Sequence, residues 1–263
     1  MANKSGSGFL STEINDCIPM FRKRFAPEYE LIDQINEFYY DLQNCFVGQE
    51  ATLEIVYYLT ALTELHKLYQ SVILLLERGL DSSANIVMRS AIELSLKLLE
   101  AIRNPDQIDA FIAHDEETHL KISKEFRKNS GIEIEVPISN DKVSSEHKKY
   151  KHLTTRELAE QNDCGPLYTV YKLLCDDTHQ SPYVLGQHIE KTETGVLVDA
   201  GFQLENFRES AALLISIAIN PIPKLLCIIP SDDSLGKQYK MIENSYMNIF
   251  RDLVDHEVYL SYS

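Results

Sequence analysis

The sequence has no tryptophan, and only five cysteines, ten glycines and nine prolines among its 263 residues. The cysteines (Cys17, Cys45, Cys164, Cys175 and Cys227) are odd in number, widely spaced and free of any Cys-x-x-Cys pair. That pattern excludes a disulfide framework and thiolate zinc spacing, and it reads as reduced, cytosolic thiols. Basic residues are also short, 25 Lys/Arg against 40 Asp/Glu for a formal charge of −15. Such a body repels phosphate until salt screens it at about 8 Å, which argues against a protein that coats nucleic acid or an anionic membrane, and any phosphate site must be local. Long apolar runs are missing except at Ala211 to Ile229, which is interrupted by Asn220, Pro221, Pro223 and Lys224. A spanning helix wants about 20 mostly apolar residues, so the expectation is a buried helix broken at the prolines. The opening MANKSGSGFLSTEIND lacks the apolar core of a secretory signal, and the expected location is cytoplasmic, with no membrane contact. No Gly-rich phosphate loop, Gly-x-Ser-x-Gly, His-Glu-x-x-His, DNA-binding motif or fixed-period repeat is present.

Helical periodicity fills most of what remains. Residues 1–26 read as a weakly ordered lead-in, Gly/Ser-rich and then basic at Arg22, Lys23 and Arg24. Beyond Pro27, Leu31, Ile35, Phe38, Tyr39, Leu42 and Phe46 recur at three- and four-residue steps, one apolar stripe that Gly48 ends. Glu50 to Gly79 holds no internal Gly or Pro. A third helix is expected from an N-cap at Asp81 or Ser82 to about Arg103, and a fourth from Pro105 to Lys128. Periodicity fails between Asn129 and Lys151, which reads as a flexible insertion. Thr154 followed by Glu157 has capping-box spacing, and Pro166 opens a helix running to Ser181-Pro182. The run TGVLVDAGFQL suits a hairpin or a loop, and helices return from Leu204 to Cys227 and from Leu235 to about Tyr259. The expected class is all-α: one bundle of seven or eight helices over residues 27–263.

Charge is distributed unevenly. From His119 to Arg156 there are nine Lys/Arg against five Asp/Glu, so this segment is +4 on a remainder of −19. A basic arm of this kind suits RNA or an acidic partner, and equally a solvated loop.

Three sets of residues carry candidate chemistry. The third helix is apolar over most of its circumference, which makes it central in the bundle. Its polar residues Asn85, Arg89, Glu93, Lys97 and Glu100 fall on one stripe, and Arg89 pairs with Glu93 at i,i+4 spacing. An always-charged arginine facing a cleft would clamp a carboxylate or phosphate; on an open face it would only join a ladder of ion pairs. Tyr171, Asp177 and His179 gather near the end of the helix that begins at Pro166, where helix terminus and aspartates favour the imidazolium, so His179 suits an acid, a base or a C-cap. The third set is metal-like: Glu116-x-x-His119 and Asp176-x-x-His179, completed by Glu64 or Glu93 and by Glu157, have the spacing of a ferritin-like di-metal bundle. Asp176 stands there in place of the usual Glu. No cofactor is otherwise implied.

Two resemblances bear on function. The run Ala84 to Leu94 with its Arg89-Ser90-x-x-Glu93-Leu94, the Phe111-to-Lys124 helix with Asp115 and Lys121, and the Tyr171-x-x-Leu174…Thr178-His179 segment together resemble an uncharacterised family of bacterial helical proteins, over about residues 50–185. That resemblance implies a bundle in which Arg89, Glu93 and His179 converge, and brings no established activity. Near the C-terminus, Arg251-Asp252 and His256, with four residues between Arg and His, are similar to the signature of HEPN ribonucleases. This second resemblance implies a dimerising helical protein that cleaves RNA without metal, with His256 as base, Arg251 stabilising the phosphorane and Asp252 orienting both. The expectation is therefore a HEPN-like protein of stress or defence that binds or cleaves RNA through the basic 119–156 segment. The alternative is a non-catalytic interaction or small-ligand module in which Arg89, Glu93 and His179 form a polar network.

Overall fold

The computed structural model describes residues 12–130, 152–178, 189–192, 195–198, 206–229 and 233–254. Its helices are α1 (Glu13–Arg24), α2 (Ala26–Asn44), α3 (Leu53–Leu76), α4 (Asp81–Arg103), α5 (Gln107–Ser130), α6 (Thr155–Gln161), α7 (Gly165–Thr178), α8 (Phe207–Ile219), α9 (Ile222–Ile228), α10 (Asp233–Ile249) and α11 (Arg251–Val254). The all-α class holds, with the small antiparallel hairpin of β1 (Ile189–Thr192) and β2 (Gly195–Val198) added to it. The number of helices is larger than the seven or eight expected. Short breaks account for two of the added helices, α8 and α9 dividing at Asn220-Pro221 and α10 and α11 at Phe250, and α1 is the third. Helix α1 occupies the second half of the stretch read as a lead-in, where Phe21 is buried. Most of the expected insertion, residues 131–151, lies outside the described residues.

Local chemistry explains where the main helices start and stop. The α2 stripe of Leu31, Ile35, Phe38, Tyr39, Leu42 and Phe46 is buried throughout, as its spacing requires. Thr52 caps α3 by accepting from the Ile55 amide. At the other end of α3, the Leu80 amide reaches back to Leu75 O at 3.0 Å and Gly79 N to Leu76 O at 2.9 Å. This closure needs a left-handed residue, which Gly79 supplies at φ +66°. The cap of α4 is Leu80, not Asp81 or Ser82; because the turn is closed by α3, Asp81 is already helical and contributes its charge to the first turn. At α6 the Thr154–Glu157 capping box forms in full.

Helix α4 is the central rod. It packs along α3 and also meets α5, α6, α7, α8 and α9. Ala84, Met88, Ala91, Ile92, Ser95, Leu96, Leu98, Leu99 and Ala101 are all buried, and the small residues among them let neighbouring backbones approach. Burial of each large apolar side chain here contributes about 1.5–3 kcal/mol. Tyrosines do the cross-linking: Tyr39 Oη donates to Ala218 O (2.7 Å), Tyr58 Oη to Ala101 O (3.1 Å) and Tyr69 Oη to Ile32 O (3.0 Å). Each uses a spare carbonyl lone pair to satisfy a hydroxyl in the core. The stretch Phe207–Ile228 is long and apolar enough to cross a membrane by length and composition, and 56% of its most apolar window is buried inside the bundle.

Candidate functional site

The stripe on α4 divides. Glu100 turns inward and is fully buried, where Arg103 donates to both its oxygens (2.9 and 2.6 Å) and Asn162 Nδ2 adds a third bond at 3.0 Å. Lys224 of α9 reaches Asn162 Oδ1 at 3.1 Å, so this network ties α4, the α6–α7 turn and α9 together. Its work is structural, and it fixes the angle at which α7 lies on α4.

Arg89 and Glu93, two turns earlier, face α7. Arg89 Nη2 donates to Tyr171 Oη (2.8 Å) and lies 3.2 Å from Glu93 Oε1, while Nε donates to Cys175 Sγ (3.2 Å). The Tyr171 hydroxyl in turn donates to Glu93 Oε1 at 2.7 Å. The guanidinium carbon sits 4.9 Å from the Tyr171 ring centroid. Side-chain exposures of 23% for Arg89 and 35% for Glu93 place the pair between core and solvent, half desolvated and still reachable. Burial raises the Tyr171 pKa, reinforced by its bond to Glu93, with Arg89 and a bond to Thr155 acting the other way. The hydrogen bond to Cys175 and the attraction of Glu93 strengthen the hold of Arg89 on its proton. Among the described residues both contacts to Glu93 converge on Oε1.

The expected Arg89–Glu93 pairing is thus present, and Tyr171 of the same resemblance joins it. His179 lies outside the described residues, as does His256. At the C-terminus Arg251 is exposed and donates to Asn248 Oδ1 at 2.9 Å. Asp252 is gripped by Arg208 of α8 through two bonds of 2.6 and 3.1 Å, which hold its pKa low. Arg208 also bonds the buried Glu28 (2.8 Å) and Ile249 O (2.7 Å). Asp252 therefore fastens α11 to α8 and α2, and its bonds run to a different set of residues from those of Arg89 and Glu93. Among the described residues no three of His, Cys, Asp and Glu gather as a metal would require.

Sequence reading missed three participants. Cys175 follows Tyr171 by four residues, one helical turn on the same face, which was the available signal. Lys97 continues the α4 stripe towards His114 of α5 and His152, whose tilted rings meet with centroids 3.7 Å apart. Nothing in the spacing of two histidines on separate segments announces that contact. Burial lowers the His152 pKa, followed by His114 and Lys97, with Asp115 and Glu157 opposing.

Fold and site together define a class: an all-α bundle whose central helix presents a half-buried Arg–Glu pair to a tyrosine from a later helix. Residues 56–196, just over half the chain, match the model described as Family of unknown function (DUF5677). The chain belongs to that family, whose matched region contains Arg89, Glu93, Tyr171 and Cys175. No curated protein and no solved structure matches the chain.

Proposed function

We propose that this chain acts on the phosphodiester backbone of RNA without a metal, at the α4–α7 cluster. The observation that carries the reading is the Arg89–Glu93–Tyr171 triad: a carboxylate 3.2 Å from a guanidinium, at a half-desolvated surface. Metal-free RNA cleavage needs a base to take the 2′-hydroxyl proton, a fixed cation for the phosphorane charge and an acid for the departing 5′-oxygen. Glu93 suits the first task and Arg89 the second. The P–O2′ bond forms as the P–O5′ bond breaks, the 2′-hydroxyl proton passing to Glu93 and the departing 5′-oxygen taking a proton from solvent water, to leave a 2′,3′-cyclic phosphate and a 5′-hydroxyl. Tyr171 holds Arg89 and Glu93 in register. The HEPN-like C-terminal pattern receives less support, because Asp252 is engaged as a clamp by Arg208.

A second reading has its own observation. Tyr171 satisfies both Arg89 and Glu93, so the triad is internally paired, as in a module that opens only to bind an anionic ligand. One experiment separates the two: cleavage of a mixed RNA pool in EDTA by the wild type and by Glu93→Gln, His179→Ala and His256→Ala. The proposed reaction predicts cyclic-phosphate ends and a loss of about 10²-fold or more in Glu93→Gln, the range typical of removing a general base. Intact RNA with all four proteins overturns catalysis and leaves the binding module. Loss confined to His256→Ala moves the chemistry to the C-terminus.

A further inference from the structure

The chain is strongly acidic, so a phosphate site has to be a local island of positive field. A candidate lies beside the triad, where Lys97 and two histidines gather with Asp115 and Glu157. On α4, Lys97 follows Glu93 by four residues and Arg89 by eight, a rise of about 12 Å along the rod. Its ammonium lies 5.8 Å from the Phe111 ring centroid on α5. The rings of His114 of α5 and His152 meet there, their planes tilted by 34°. The elements packed around His152 supply Lys97 from α4, His114 and Asp115 from α5, and Glu157 from α6, with Tyr57 of α3 within reach of Asp115. His114 and Lys97 push the His152 pKa down, and Asp115 and Glu157 oppose them. Glu157 is moreover engaged at the capping box, where its Oε2 accepts from Thr154 N and Oγ1. His152 is exposed, so a ligand has access. Thr155, three residues on, lies near enough to Tyr171 to lower its pKa, which places this cluster beside the triad.

We propose that Lys97, His114 and His152 form a phosphate-binding subsite adjoining the Arg89–Glu93–Tyr171 triad, so that the two form a strip that takes an oligonucleotide engaging at least two phosphates. The oligonucleotide part rests on the RNA reading above; the phosphate subsite does not. Burial, with His114 and Lys97 beside it, disfavours the protonated form of His152, and a phosphate seated against the ring favours that form. Phosphate binding therefore takes up a proton and weakens as pH rises.

The test uses the full chain with ¹³C-labelled histidine, titrated with inorganic phosphate against chloride at constant ionic strength while imidazole C–H resonances are followed. Saturable shifts of His114 and His152 are expected at pH 6, with at least tenfold weaker binding at pH 8.5 and at least fivefold weaker binding in Lys97→Gln. Arg89→Lys retains the phosphate shifts. A 2′-O-methyl oligouridylate, which cannot be cleaved, is expected to bind at least tenfold more tightly than uridine monophosphate, and to lose that advantage in either Lys97→Gln or Arg89→Lys. Absence of saturable shifts at pH 6, or full retention in both Lys97→Gln and His152→Gln, overturns the subsite. Phosphate binding without RNA cleavage removes the catalytic reading and keeps the subsite; cleavage with no phosphate response does the reverse. Equal binding of monophosphate and oligomer removes the two-phosphate strip alone.

Discussion

Arg103→Met removes the guanidinium that neutralises Glu100 and keeps most of the aliphatic stem. In the native chain Glu100 is completely buried and accepts three bonds, two of them from Arg103. After the change one bond from Asn162 remains for a carboxylate that has lost its counter-charge. Breaking a buried ion pair from one side costs about 3–5 kcal/mol. Arg103 is itself 43% exposed, so water follows into part of the vacated space and the cost falls below that range, to about 2–3 kcal/mol. For a chain of this size each kcal/mol moves Tm by about 2–4 °C, so the expected fall is about 5–10 °C. Urea and thermal unfolding followed by far-UV circular dichroism measure it. The paired variant Glu100→Leu/Arg103→Met, which removes both charges, is expected to regain most of the loss. A fall of less than about 1 kcal/mol in Arg103→Met, or a double variant less stable than the single one, refutes the argument that Arg103 is needed to neutralise a buried charge.

Tyr39→Phe deletes the buried donor to Ala218 O and strands no charge, so a loss of about 1–2 kcal/mol is expected in urea unfolding. Thr154→Ala breaks both halves of the α6 capping box and is expected to cost about 1 kcal/mol by the same measurement. Burial holds the His66 pKa below its ordinary 6.5, so the folded chain binds fewer protons than the unfolded one at acid pH. Stability is then full above 6.5 and declines as pH falls below it, a slope that His66→Gln should flatten in a pH series of Tm. Arg208 depresses the Asp252 pKa below 3.8, so its contribution is present above that value and is lost as pH falls through the folded value; Asp252→Asn should show a shallower acid limb.

Features that depend on near neighbours in the chain were legible beforehand. The α2 stripe, the Thr154–Glu157 box, the central position of α4 and the Arg89–Glu93 pair all follow from spacings of three or four residues. Glu100 shares its stripe with Arg89 and Glu93, and the spacing does not show that it turns inward to meet Asn162, 62 residues away. The bonds from Arg89 to Tyr171 and Cys175 span 82 and 86 residues and depend on how α7 lies across α4. Periodicity identifies the faces of each helix and leaves open which faces meet. The histidine pair depends on α5 and the approach to α6 returning to the same place, which no local pattern encodes. Asp252 shows the converse: a residue whose sequence context suggested chemistry has its carboxylate held by Arg208.

Helix α4 carries its core and its candidate site on opposite sides of one rod, with Ala91 and Ile92 buried between Arg89 and Glu93 in sequence. Any change in the volume of those buried neighbours is transmitted as a rotation or shift of the guanidinium and carboxylate about half a turn away. In such a molecule tolerance to mutation is set jointly for folding and for chemistry: substitutions that leave the bundle intact yet rotate α4 by a few degrees would appear as loss of function in a stable protein.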